Sequence, residues 1–290
     1  MMIERGAPTT PMSQTIQTIQ TVSIEGVAFQ VRPGPIHGAF WRRVSAGNWE
    51  PHTFAVFRRF LDPARSCVDI GAWIGPTALF AARLARRVHA IEPDPVAHAE
   101  LEGNVAVNPE LRERIVLHAQ CVAPQRGPVD LYAGGMYHSD ASRFGDSMSG
   151  IVAASDRGDQ ASRRVEGIEL VDLFADEAIT DCSLIKMDVE GGEYSLIPGH
   201  WRALARFGMP TTCVSFHAPA PALRREQIGA CLEELGRSYR WIQAASNPAI
   251  TDVVERFESV HDWADETPGS PWHALERILG EGIVATNEAW

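Results

Sequence analysis

Cys67-Val68-Asp69-Ile70-Gly71-Ala72-Trp73-Ile74-Gly75, running straight into Pro76-Thr77-Ala78-Leu79-Phe80-Ala81-Ala82, decides the fold. Its first four residues have the short apolar character of a buried parallel strand. Gly71 and Gly75 allow a tight turn and a close approach of backbone that a side chain would obstruct. Pro76 suits the first position of a helix, where a missing N–H costs nothing. Leu79, Phe80, Ala82 and Leu84 then give an apolar helix face, with Arg83, Arg86 and Arg87 toward water. Strand, glycine turn, helix is the opening of a nucleotide-type cofactor site.

The spacing selects the cofactor. A dinucleotide site needs G-x-G-x-x-G, so that a pyrophosphate can rest on the helix N-terminus. Here the pattern is D-x-G-x-x-x-G, and Trp73 fills the middle of the loop. An acidic residue before the first glycine suits a cofactor that carries a cation, such as S-adenosylmethionine with its ammonium and sulfonium. The next strand, Val88 to Ile91, ends in Glu92-Pro93-Asp94. A carboxylate at that point is placed to accept both ribose hydroxyls.

Bulk properties narrow the class. The formal charge of −11 excludes a general nucleic-acid binder, whose footprint is basic. The paired arginines are scattered, as on solvated faces. Five cysteines without a C-x-x-C spacing read as small buried hydrophobes. No apolar run is long enough to span a bilayer and no apolar leader core stands near the start, so no membrane partner and a cytoplasmic location are expected.

Residues 1–20 are polar and aperiodic, and are expected to be disordered. Residues 21–62 form an extension: a hairpin from Val22–Ile24 and Val27–Val31, then helices His37 to Ala46 and Pro51 to Leu61. Residues 63–290 form the main domain. After Glu92 come a helix from Pro95 to Asn108, a third strand from Ile115 running through Cys121, and an added strand Val129 to Tyr132. Residues 134–160 have neither period and read as a long loop or lid. A strand at Arg164–Ile168, a fourth core strand at Ser183–Asp188 and a helix Tyr194–Phe207 follow. Then come a fifth strand Thr211–His217, a helix Pro221–Leu235, a strand Tyr239–Gln243, a helix Trp272–Leu279 and a last strand near Gly282–Thr286. Strands alternating with helices imply a doubly wound, mostly parallel sheet.

Val68 to Gly75, Ile91-Glu92-Pro93, Leu101 to Pro109 and above all Ile185-Lys186-Met187-Asp188-Val189-Glu190-Gly191 together resemble the FkbM family of S-adenosylmethionine-dependent methyltransferases. The resemblance runs from about Trp49 to His217. It implies a class I methyltransferase (Rossmann-like) α/β fold with a seven-stranded sheet, here carrying the N-terminal hairpin and helical extension. It implies methylation of a hydroxyl on a sugar, lipid or secondary metabolite. Two departures are Trp73, where Asn is common, and Gly192, where Ala is usual.

Ligands of such sheets bind beyond the carboxyl ends of the strands. The cofactor wall is therefore expected from Asp69, Gly71, Ala72, Trp73, Gly75 and Thr77, from Glu92 and Pro93, and from Asn104, Cys121 and Asp188. His217, whose imidazole titrates near neutrality, is the candidate base, with Asp188 and Glu190 as its catalytic companions. Trp49, Glu50 and His138 are candidates for the acceptor, a small or glycosylated molecule. Asp188, Glu190, His217 and His138 could also hold Mg²⁺ for a diol acceptor, but no metal is assigned. A nitrogen acceptor and an NAD-dependent oxidoreductase are the alternatives. The second lacks its third glycine, and the Asn/Asp-Pro-Pro-aromatic run of amino-base methylation is missing after strand four.

Overall fold

The computed structural model describes residues 18–134, 144–152 and 161–289. The strands, in chain order, are β1 (Gln20–Ile24), β2 (Val27–Val31), β3 (Ser66–Ile70), β4 (Arg87–Ile91), β5 (Ile115–His118) and β6 (Cys121–Val122). They continue with β7 (Gly127–Tyr132), β8 (Ser162–Ile168), β9 (Cys182–Met187), β10 (Thr211–Val214), β11 (Trp241–Ala244) and β12 (Ile283–Thr286). Seven of them make the central sheet, in the order β11-β12-β10-β9-β3-β4-β5. All neighbours in it are parallel except β12, which runs antiparallel to β10 and β11. The doubly wound, seven-stranded sheet expected from the sequence is present.

Every residue of β3, β9 and β10 is buried, as their apolar runs require of strands covered on both faces. Alternation along β3 sends Val68 and Ile70 into one apolar core with Ile185, Met187 and Trp201. Cys67 goes to the other, with Leu79, Phe80, Phe54 and Trp41. The chain leaves β3 toward β4 and β5, then crosses back to β9, so the strand order reverses between β3 and β9. That reversal opens a crevice at the carboxyl ends.

The hairpin β1–β2 joins the second core through Val22 and Phe29. Two asparagines of the Pro95–Ala106 region dock it. Arg32 N–H donates to Asn104 Oδ1 at 2.7 Å and Gln30 N–H to Asn108 Oδ1 at 2.7 Å.

Three expected elements differ. The third strand stops at His118, and Cys121–Val122 instead pairs in parallel with β8 in a separate three-stranded sheet, β6-β8-β7. The helix expected over Tyr194–Phe207 is a single turn, Glu193–Leu196, and a 3₁₀ segment, Trp201–Phe207. Pro198 and Gly199 interrupt it, because proline cannot continue an α-helical ladder. Sheet pairing of the fifth strand ends at Val214, and Ser215 to His217 run on past the sheet edge. Among the described residues no helix is long and apolar enough to cross a membrane.

Candidate active site

Gly71 sets the geometry. Its φ is +78°, and a Cβ there would lie 1.9 Å from the carbonyl oxygen of Asp188. The turn after β3 thus abuts the end of β9, which only glycine permits. Gly71 and Ala72 both donate their N–H to Ile91 O, tying the turn to the end of β4. The next residue, Trp73, is held at a left-handed φ of 48°. Its N–H donates to Glu92 Oε2 at 2.8 Å, while Asp94 N–H donates to Glu92 Oε1 at 2.7 Å. The Trp73 indole packs edge-on against Phe40, with centroids 4.5 Å apart, and donates to Gly145 O at 3.1 Å.

These segments line a cavity of about 590 Å³ at the β3/β9 reversal, within the range of small-molecule sites. Gly71, Ala72, Trp73, Thr77, Glu92, Pro93, Cys121, Asp188, Glu190 and His217 lie on its wall, as do Trp49 and Glu50. Asp69, Gly75 and Asn104, also expected on the cofactor wall, do not line this cavity. Asp69 is fully buried under the wall, where its Oδ2 accepts from Thr77 Oγ1 at 2.7 Å. Gly75, at φ +99°, makes room for Leu101. Asn104 donates to Ile74 O at 2.9 Å and braces the loop from behind. His138 lies outside the described residues.

One lysine organises the floor. Lys186, the only lysine in the chain, is buried in β9. Its Nζ lies 3.7 Å from Asp69 Oδ1 and 3.5 Å from Asp188 Oδ2, and donates to Gly71 O at 3.1 Å. Burial opposes its charge, but Asp188, Asp69 and Glu50 more than offset this, so it stays an ammonium. Glu50 opens the helix Pro51–Phe60 in a left-handed conformation, φ 40° and ψ 53°. Burial, then the Asp188 charge, pushes its carboxyl up to about 7, although Lys186 and a hydrogen bond from Thr53 pull the other way. Glu92 is pushed up to about 8, chiefly by burial.

His217 is enclosed by acids. Its Nδ1 is 2.8 Å from Glu193 Oε1, and its Nε2 is 3.3 Å from Glu190 Oε1 and 3.4 Å from Asp188 Oδ1. Burial disfavours the charged ring, but hydrogen bonds to Glu190 and Glu193 and the charges of Glu193 and Asp188 raise its pKa to about 11. These bonds and charges favour the protonated ring, which weighs against a role for His217 as the base. The ligating atoms of Asp188, Glu190 and His217 lie within 4.8 Å of one another, a spacing that would also admit a cation. The imidazolium proton already supplies positive charge there.

The sequence reading missed three contributors. Lys186 lies in the family-like segment Ile185 to Gly191 but was given no part in the site from the sequence. Glu193, fully buried against His217, was not among the expected site residues. Residues 144–152, within the expected loop, supply Asp146, Ser147, Ser149, Gly150 and Ile151 to the wall. They are anchored by Asp94, whose Oδ2 accepts from Gly145 N–H at 2.7 Å and Ser149 Oγ at 2.8 Å. The signal available was Asp94 itself, an N-cap with a second carboxylate oxygen to spare.

A family model described as Methyltransferase FkbM domain matches residues 69–239, more than half of the chain. No curated relative matches it. Among solved structures, the chain is similar to a precorrin-6y C5,15-methyltransferase from Geobacter metallireducens, at 12% identity over 67% of this chain and 71% of that one, with a TM-score of 0.36. It is similar to a SAM-dependent methyltransferase from Agrobacterium tumefaciens, at 12% identity over 76% and 60% of the two chains, with a TM-score of 0.39. A third is TYW2 of M. jannaschii in complex with AdoMet, at 18% identity over 35% and 43%, with a TM-score of 0.25.

Proposed function

This chain belongs to the FkbM methyltransferase family, and from that premise we propose that it methylates a hydroxyl of a sugar, lipid or secondary metabolite, with Glu50 taking the acceptor's proton. The observation that carries this reading is the contrast between the two basic candidates on one wall. His217 is enclosed by three carboxylates within 3.4 Å, while Glu50 lines the cavity and burial pushes its carboxyl up to about 7.

S-adenosylmethionine, when bound, supplies a methyl carbon made electrophilic by a sulfonium. The residues fit it. Glu92 holds two backbone N–H bonds yet remains pushed up to about 8 by burial, so further donors, such as a ribose diol, stabilise its ionised form. Glu50, Asp188 and Glu190 add carboxylates to the cavity wall that suit ammonium and sulfonium charge. Orientation within such a cavity is worth about 7–11 kcal/mol in favourable intramolecular cases. Glu50 would take the proton of the acceptor hydroxyl as that oxygen receives the methyl group the cofactor supplies, S-adenosylhomocysteine being the other product. His217 then orients Asp188 and Glu190 by charge, without itself accepting a proton.

Release of S-adenosylhomocysteine, measured by mass spectrometry against panels of polyhydroxylated, lipid and amine acceptors, tests the acceptor class. Methylation confined to amines overturns the hydroxyl reading. A base must be ionised, so kcat/KM for the acceptor at saturating cofactor should rise with pH along a limb at or below about 7, the value in the free protein, and then level. Glu50→Gln, assayed at saturating cofactor, should lower kcat about 10²–10⁴-fold and remove that limb. Full turnover in Glu50→Gln, or a limb that vanishes in His217→Gln instead, refutes the assignment.

A further inference from the structure

Behind the cofactor wall, outside the cavity, two histidines and a glutamate converge from three elements. His89 stands in β4, His118 ends β5, and Glu177 caps the C-terminus of helix Leu170–Asp176. The register pairs His89 with Val116 and Ile91 with His118, so both imidazoles project from the same face of the sheet. Their rings are nearly parallel, 19° apart in plane. His89 Nδ1 lies 3.2 Å from His118 Nε2 and 4.0 Å from Glu177 Oε2, and the three ligating atoms fall within 4.8 Å of one another. Both rings are buried.

Two imidazole nitrogens and one carboxylate oxygen make a borderline donor set, which suits Zn²⁺, Co²⁺ or Ni²⁺ and not the all-oxygen ions Mg²⁺ and Ca²⁺. Tetrahedral zinc with bonds of about 2.0–2.1 Å separates its ligands by roughly 3.3 Å. The His89–His118 spacing already matches that, and Glu177 needs only a small side-chain adjustment at a partly exposed helix end. We propose that His89, His118 and Glu177 form a transition-metal site of the zinc type, with three protein ligands and a fourth position toward solvent at Glu177. The ion would clamp β4 and β5 to the helix end. The clamp reaches the cofactor wall through one bond: His118 O accepts from Glu92 N–H at 3.0 Å. This site does not depend on the acceptor or on the proton transfer assigned to Glu50.

The test uses the full chain without a polyhistidine tag, stripped with chelator and titrated with Zn²⁺ alone by calorimetry and native mass spectrometry. One equivalent should bind and raise the melting temperature, since an ion held only by the folded state stabilises it. Glu177→Gln and His118→Asn should each weaken binding at least about ten-fold, by analogy with ligand-shell losses. Glu190→Gln, in the separate Asp188/Glu190/His217 cluster, should leave zinc binding unchanged. Should His118→Asn fail to fold, Glu177→Gln at its partly exposed position still decides. Zinc binding that survives Glu177→Gln but is lost in Glu190→Gln, or no binding at zinc well in excess of protein, overturns the proposal.

Discussion

Glu92 makes cofactor affinity a function of pH, and the size follows from its surroundings. Burial outweighs the N–H bonds from Asp94 and Trp73 and raises its carboxyl from 4.5 to about 8. A ribose diol held by Glu92, as proposed, would donate its bonds to the carboxylate, so binding would require the ionised form and release a proton wherever the free protein holds one. At pH 6 about 1% of Glu92 is ionised, and at pH 9 about 90%, from the ordinary titration relation. The apparent Kd of S-adenosylhomocysteine should therefore fall about 100-fold from pH 6 to pH 9, with close to one proton released per binding event at the acid end. Calorimetry in buffers of different ionisation enthalpy reads both quantities. Glu92→Gln should bind weakly with no slope, and Glu50→Gln should keep the slope. A flat Kd over this range, or a slope that persists in Glu92→Gln, refutes the reasoning. The sign for stability is opposite. The unfolded chain ionises this group near 4.5 while the fold keeps it protonated to about 8, so the free protein should lose stability as pH rises between those values.

Other substitutions test the floor and the loop. Lys186→Met leaves Asp69 buried without its counter-charge and should cost about 3–5 kcal/mol, read as a lower urea midpoint; an unchanged midpoint would show that Asp69 does not depend on the lysine. Gly71→Ala forces a Cβ against Asp188 O at a left-handed φ and should abolish soluble expression or cofactor binding, checked by yield and calorimetry. Asp94→Ala removes both the helix cap and the anchor of residues 144–152. It should lower stability by about 1 kcal/mol and speed hydrogen exchange at Gly145 and Ser149, whereas unchanged exchange there would assign the anchoring elsewhere.

The strand–turn–helix at Cys67 to Ala82 was legible because period and glycine spacing are local properties. The acidic groups at the ends of β4 and β9 were legible because parallel sheets put strand ends on one side. The depth of each group was not. Asp69 and Lys186 are 117 positions apart in sequence by their numbers, and only the pairing of β3 with β9 brings them together beneath the wall. Asn104 was assigned to the cofactor from its place in a shared segment, whereas the hairpin it docks lies more than sixty residues earlier. His217 was read from the free imidazole's ordinary titration, and its actual state depends on carboxylates at 188, 190 and 193 that turn toward it.

Backbone strain and charge meet at the same wall. Among the described residues, Glu50, Trp73 and Glu190 take left-handed φ values of 40°, 48° and 51° without being glycine, and all three line the cavity. Each such residue costs of order 1–3 kcal/mol, which glycine would avoid. Glycine would also remove the carboxylate or indole that the turn projects inward. Two of these strained turns add carboxylates to a wall that already holds Glu92 and Asp188, alongside Arg43, Lys186 and His217. Burial first, and then the charge of Asp188, is why Glu50 resists ionising. A cation entering the cavity would lower the Glu50 pKa and ready that carboxylate for the acceptor's proton. Donor binding and base activation are then one electrostatic event.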